Sequence, residues 1–280
     1  MCISMKRMVV TDLDGTLLNS SQLVSKKDYQ TLLGLKDQGI IRAIATGRSP
    51  YSVDKVLSPD FPVDFLIFSS GAGIMKWDDK HILHSRQFLS IDVQQLVTYF
   101  INYNLDFMVH EPIPHNHCFL YHHTGNHKST DFLHRIELYS PFCRPFIPGI
   151  EFPVGATQLI AIIPEDMILF QTISHELKKY KVIRTTSPLD GKSIWMEIFP
   201  KEVSKAYGIV WLCNLLNIEP SSILVIGNDF NDLDMLQLTK HSYVVENAPD
   251  DLSRQYKSVP SNDNSGFTTA VEEWLKGDRA

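Results

Sequence analysis

The chain has 280 residues, 44% hydrophobic and 21% charged, proportions of a globular protein with a sizeable core in one large domain or two modest ones. Its net charge of −6 leaves no basic excess for a phosphate polymer, which argues against nucleic acid as a partner and still allows a small anionic substrate. Cys2, Cys118, Cys143 and Cys213 are scattered with no C-x-x-C pair, Met1 to Met8 carries no apolar secretory segment, and no apolar run approaches transmembrane length. The expectation is a cytoplasmic protein with free thiols and no membrane contact.

Met8–Thr11 is a short apolar run of strand type ending at Asp12-Leu13-Asp14-Gly15-Thr16. Ser25 predicts a helix N-cap, with Asp28 as a short capping-box acid and Gly39 at the C′ position. Ile40–Ala45 predicts a buried strand ending at Thr46-Gly47-Arg48, Ser49-Pro50 opens another helix, and Val63–Ser69 is a third strand. This β-α-β-α-β alternation implies an α/β fold with a doubly wound parallel sheet and right-handed crossovers.

After Gly71 the pattern changes. Ile74–Trp77 and Ile82–His84 flank a hairpin turn at Asp78-Asp79, and Asp92–Tyr103 reads as helix. From Asp106 to Gly155 the chain is rich in Pro, His and aromatics and shows little period. Thr157–Ile163, Val182–Thr186 and Ile194–Phe199 read as strands and Glu165–Tyr180 as helix. The first rhythm returns with helix Ser204–Leu216, strand Ser222–Ile226 ending at Gly227-Asn228-Asp229-Phe230-Asn231-Asp232, a helix through Leu236, strand Tyr243–Val245 and helix Thr268–Leu275. The division is a core over 1–85 and 189–280 with an inserted α+β domain over 86–188.

Asp12-Leu13-Asp14-Gly15-Thr16-Leu17 is the strongest chemical signal. Two carboxylates alternate at the carboxyl end of a strand, where open α/β sheets place ligands. An aspartate beside a magnesium ion can attack phosphorus, and a second one two residues on can protonate the leaving oxygen and later activate water. Thr46 offers a hydroxyl and Gly47 an N–H for phosphoryl oxygens at the next strand tip. Lys205, opening a helix, can neutralise the transferring group and keep the nucleophile ionised. Asn228, Asp229 and Asp232 follow another apolar strand and offer hard oxygen ligands suited to magnesium.

In order and spacing these strings resemble the haloacid dehalogenase (HAD) superfamily, and more narrowly the Cof-like sugar-phosphate phosphatases, whose cap is inserted after the third strand. Asn247-Ala248-Pro249 and the segment from Ser261 to Phe267 extend the resemblance. It implies a HAD core with a cap domain and a Mg2+-dependent hydrolase that cleaves a small phosphorylated metabolite. Asp12 would be nucleophile and metal ligand. Asp14 would be general acid/base, with its carbonyl on the metal. Leu13 N–H, Thr46, Gly47, Lys205 and Asn231 would hold the phosphoryl group. The chain departs from the pattern at Asn228, where the family has a metal-binding Asp, so Asn228 itself, Asp229 or Asp232 would complete the metal site. It departs again at Ser70-Gly71-Ala72, where Asn-Gly-Ala is frequent and an amide contact is therefore missing.

A phosphomutase or phosphotransferase on the same core and a catalytically weakened metabolite-binding protein are the alternative readings. Oligomeric state is left open. Seven of the eleven histidines fall between His110 and His134. With no paired carboxylate ligand on a helix, they read as surface or loop residues.

Overall fold

The computed structural model describes residues 6–125, 130–149, 152, 154–163, 166–186 and 194–277; Cys2, His127, Glu165 and Pro188 lie outside them. Among the described residues no helix is long and apolar enough to cross a membrane.

Two compact units are present, Met1–His84 with Ser204–Ala280, and Ser85–Val203. The first begins with β1 (Met8–Thr11), α1 (Lys26–Asp37), β2 (Ile41–Ala45), α2 (Pro50–Val53), β3 (Phe65–Phe68), β4 (Gly73–Lys76) and β5 (Ile82–Ser85). The second holds α3 (Ser90–Asn102), β6 (Asp106–His110), β7 (Phe119–His122), α4 (Thr130–Leu138), β8 (Cys143–Pro145), β9 (Leu159–Ile163), α5 (Met167–Glu176), β10 (Lys181–Thr186) and β11 (Ile194–Phe199). The chain returns through α6 (Lys205–Leu216), β12 (Ile223–Gly227), α7 (Leu233–Leu236), β13 (Ser242–Val245), α8 (Asp250–Ser253), β14 (Lys257–Val259) and α9 (Gly266–Gly277).

The first unit is an eight-stranded sheet in the order β14-β13-β12-β1-β2-β3-β4-β5. It is parallel from β14 to β3, and β4 turns antiparallel. Its central strands are mostly apolar because both faces are covered, with Arg42 of β2 paired to Asp64: Met8, Val10, Ala43, Ala45, Ile67, Val225 and Val244 share a core with Ile209 and Leu212 of α6. Ser25 caps α1, accepting from Asp28 N at 3.1 Å. The Asp28 carboxylate does not complete a capping box. It accepts from Ser25 Oγ at 2.7 Å and from Thr268 N and Oγ1 at 3.0 and 2.7 Å, tying α1 to α9.

The second unit is a six-stranded sheet in the order β10-β11-β9-β6-β7-β8, antiparallel except for the β7–β8 pair. Phe107, Val109, Ala161, Ile163, Met196 and Ile198 face α3 and α5, represented by Val93, Leu96, Phe100 and Ile173. On the opposite face Trp195 Nε1 donates to Asp131 Oδ2 of α4 at 2.7 Å.

Three sequence expectations change. The stretch Asp106–Gly155 is not irregular; it holds β6, β7, α4 and β8. The division at 188/189 lies outside the described residues, yet β11 pairs with β9 and β10, so the second unit runs on to Val203. His110, expected at the surface, is buried in β6.

Candidate functional site

The parallel register brings four strand tips level in the first unit. Thr11 is opposite both Ile226 and Ile44, and Asp12 N donates to Ile226 O at 2.9 Å. Asp12 therefore follows β1, Thr46 follows β2, Ser69 follows β3 and Asn228 follows β12, all at the carboxyl ends of their strands.

Lys205 joins the first of these tips to the last. Ser204 caps α6 by accepting from Tyr207 N at 3.1 Å, and the next residue sends its ammonium inward. Lys205 Nζ donates to Asp12 Oδ1 at 2.6 Å and to Asp232 Oδ1 at 2.5 Å, with all three side chains buried. Burial pushes the Asp12 carboxyl up to about 7, against the opposing Lys205 ammonium and with help from the Asp232 and Asp14 charges. Burial acts to lower Lys205, but the two carboxylates bonded to its Nζ outweigh it and hold the ammonium above the ordinary lysine value.

Asp232 also organises the loop after β12. Its Oδ2 accepts from Asn228 N at 2.8 Å and Asp229 N at 3.1 Å, which shapes the loop. A Cβ at Gly227 would come within 2.6 Å of the same oxygen, so this position needs glycine. Asp229 Oδ1 caps the following turn, accepting from Phe230 N at 2.7 Å. Asp232 therefore braces the lysine and the loop, and Asp229 braces the turn after it.

Asn228 does join them. One terminal atom of its carboxamide lies 3.1 Å from Asp14 O, 3.3 Å from Asp12 Oδ2 and 3.2 Å from Thr16 Oγ1. With Nδ2 turned inward the carboxamide donates to these oxygens; with Oδ1 inward it adds a third oxygen to a carboxylate and a carbonyl. That donor set fits a hard divalent cation such as Mg2+, which keeps several waters and needs few protein ligands. Among the described residues no three His, Cys, Asp or Glu side chains form a metal-binding group; the oxygens that could meet a cation here are Asp12 Oδ2, the Asp14 carbonyl and the Asn228 amide. Gly15, at φ +72°, makes the turn; a Cβ there would come within 2.5 Å of Asn228 Nδ2.

Asp14 is held from the other side. Arg48 Nε and Nη2 meet its two carboxylate oxygens at 2.8 and 2.5 Å, and Nη2 also donates to Gln22 Oε1 at 2.6 Å. Thr46 Oγ1 accepts from Arg48 N at 3.1 Å, which leaves its O–H oriented to donate. Gly47 follows with its N–H, Leu13 is buried with its N–H beside Asp12, and Asn231 sits half-buried in the loop after β12. Arg48 as the partner of Asp14 was missed by sequence reasoning. Its signal was present in Thr46-Gly47-Arg48, but the pairing depends on the β1–β2 register.

The profile of the haloacid dehalogenase-like hydrolases matches residues 9–271. The chain belongs to that family. A HAD relative, the 5-amino-6-(5-phospho-D-ribitylamino)uracil phosphatase YwtE of Bacillus subtilis, is 27% identical over 292 residues, covering 98% of this chain and all of that protein. The solved structure of a HAD phosphatase from Bacteroides thetaiotaomicron shares the fold with a TM-score of 0.76 at 20% identity, covering 96% of this chain and 95% of the other. A HAD subclass IIB sugar phosphatase does so with a TM-score of 0.73 at 16% identity, over 96% and 99% of the two chains. This protein is a haloacid dehalogenase-like hydrolase, and its doubly wound sheet is the HAD core.

Proposed function

We propose that the protein is a cytoplasmic, magnesium-dependent phosphatase that hydrolyses a small phosphate monoester, with sugar phosphates as the substrate class, through an aspartyl-phosphate intermediate. The observation that carries this reading is the buried Asp12–Lys205–Asp232 triad, with the free oxygen of Asp12 turned toward Asp14 O and Asn228. A purely structural ion pair has no need of a third carboxylate, Asp14, held at the same strand tip by an arginine fork.

Asp12 Oδ2, the Asp14 carbonyl and Asn228 would hold Mg2+, which when bound supplies positive charge to the phosphoryl oxygens and keeps Asp12 ionised. Asp12 attacks phosphorus, forming the Asp12–O–P bond as the bond to the departing alcohol breaks, and Asp14 gives that alcohol its proton. Asp14 then takes a proton from water. The water oxygen bonds phosphorus and releases the Asp12 carboxylate and inorganic phosphate. Lys205, Thr46, Asn231 and the N–H groups of Leu13 and Gly47 bind the phosphoryl oxygens, where most of the rate enhancement of such reactions arises.

The name of the Bacillus subtilis relative specifies a phosphorylated ribityl chain, a polyhydroxylated monoester of the proposed class. The test is phosphate release in magnesium from p-nitrophenyl phosphate and a panel of sugar phosphates. The expected result is one phosphate freed per alcohol, abolished by Asp12→Asn with the circular dichroism spectrum unchanged. Isomer exchange of a bisphosphorylated sugar without free phosphate would assign a phosphomutase instead, and near-wild-type turnover by Asp12→Asn would remove the nucleophile assignment.

A further inference from the structure

Ser69, Ser70 and Gly71 follow β3 with three successive left-handed backbones, φ +47, +54 and +97°. Serine has no intrinsic preference for that region, so the surroundings impose it. Both flanks are visible. Ser69 N donates to Arg48 O at 2.9 Å, and Ser70 N donates to Thr46 O at 3.0 Å. On the other side, a Cβ on Gly71 would come within 2.0 Å of Ser204 O, the carbonyl of the residue that caps α6 just ahead of Lys205. The turn is wedged between the Thr46-Gly47-Arg48 segment and the start of the lysine-bearing helix.

The wedge leaves one polar group unmatched. Ser70 is 2% exposed, and its hydroxyl is buried with no hydrogen-bond partner among the described residues. Serine hydroxyls can rotate to suit a nearby acceptor, so an unmatched one held this tightly needs an explanation. Its Oγ lies beside Gly47, 3.6 Å from where a Cβ on that residue would stand. That is ordinary contact distance, so Ser70 Oγ borders the residue whose N–H is expected to hold phosphate.

We infer that Ser70 Oγ is a phosphoryl-binding donor, which with the Thr46 hydroxyl and the Gly47 N–H forms a three-point cradle for one side of the phosphoryl group. The inference rests on the phosphatase reading above. It gives the left-handed turn a purpose: the strained backbone aims a short hydroxyl at an anion that a serine in extended conformation would not reach. It also supplies a donor at the position where the resemblance alone implied a missing contact.

The test separates the hydroxyl from the backbone. Ser70→Ala and Ser70→Gly both delete the donor, but glycine accepts φ +54° readily and alanine does not. Ser70→Asn restores a donor in a residue that tolerates the left-handed region. The probe is orthovanadate inhibition of p-nitrophenyl phosphate hydrolysis in magnesium, with melting temperature read on each variant. The expected result is that Ala and Gly weaken vanadate equally, by about ten- to a hundredfold, as befits one hydrogen bond to a charged oxygen. Asn should recover most of that loss. Wild-type inhibition in both Ala and Gly overturns the inference while leaving the phosphatase reading intact, as does weakening in Ala alone, which would make the effect one of backbone strain. A wild-type protein that neither hydrolyses the ester nor binds vanadate overturns both.

Discussion

Arg48 grips Asp14 with two nitrogens of one guanidinium edge, Nε on Oδ2 and Nη2 on Oδ1. This fork fixes the plane of the carboxylate, and the Gln22 contact fixes the fork. A lysine carries the same charge but only a point donor. Arg48→Lys is therefore expected to lower kcat about tenfold or more while changing KM little, because Asp14 is asked to move a proton rather than to bind. Steady-state kinetics checks it. A variant with raised KM and unchanged kcat would show that Arg48 binds substrate directly and leaves Asp14 to orient itself.

The Lys205 ammonium compensates two buried acids at once. Lys205→Met leaves the buried carboxylates of Asp12 and Asp232 without their shared cation. Breaking a buried pair in this way destabilises by about 3–5 kcal/mol. Urea unfolding near neutral pH should record a loss of that order, and adding Asp232→Asn should recover part of it, since the two residues are in contact and their effects do not add. Additive losses would mean that the two side chains do not share one electrostatic unit.

The strings at positions 12–17, 46–48 and 227–232 were legible because each is a polar cluster directly after an apolar run, which is how a parallel sheet presents its tips. What they touch was not. Asp14 and Arg48 are 34 residues apart and meet only through the register of β1 against β2. Ser70 carries no mark of left-handed backbone, since serine is not a residue that signals it. Between Asp106 and Gly155 the strands are covered on one face by α3 and α5 and over part of the other by α4, so β6 is buried along its whole length and neither period survives. The apolar run of β11 reads the same whichever sheet receives it, which is why the second division was placed too early. The partners of Asp229 and Asp232 were hidden too, because composition does not reveal that one caps a turn and the other holds a lysine and two N–H groups.

Asn228 is the neutral member of an otherwise oxygen-rich cluster. Replacing it with aspartate adds an anionic ligand at the same place, next to Asp12 Oδ2 and Asp14 O. Asn228→Asp should bind Mg2+ more tightly, by about tenfold, read as a larger Mg2+-dependent rise in melting temperature and by calorimetric titration. Asp229→Ala should leave the affinity where it is, because that carboxylate faces Phe230 N. If Asp229→Ala abolishes the magnesium response and Asn228→Asp does not alter it, the cation sits elsewhere in the loop.

His110 makes the second unit sensitive to acid. It lies in β6 with Nδ1 donating to Asn116 O at 2.9 Å, and burial pushes its pKa down to about 3, that backbone bond partly opposing and Arg135 and His117 adding to the shift. An unfolded histidine titrates near 6.5. Between pH 6.5 and 3 the unfolded chain therefore binds a proton that the folded chain refuses, so stability is complete above about 6.5 and is lost as the pH falls, at about 1.4 kcal/mol per pH unit. His110→Gln keeps a neutral polar side chain and removes the titration. Urea unfolding at pH 7.5 and pH 5.5 should then show the His110→Gln protein losing about 1.4 kcal/mol less than wild type between the two. An identical loss in both proteins would mean that His110 is protonated within the folded unit and that the sheet opens around it to admit the charge.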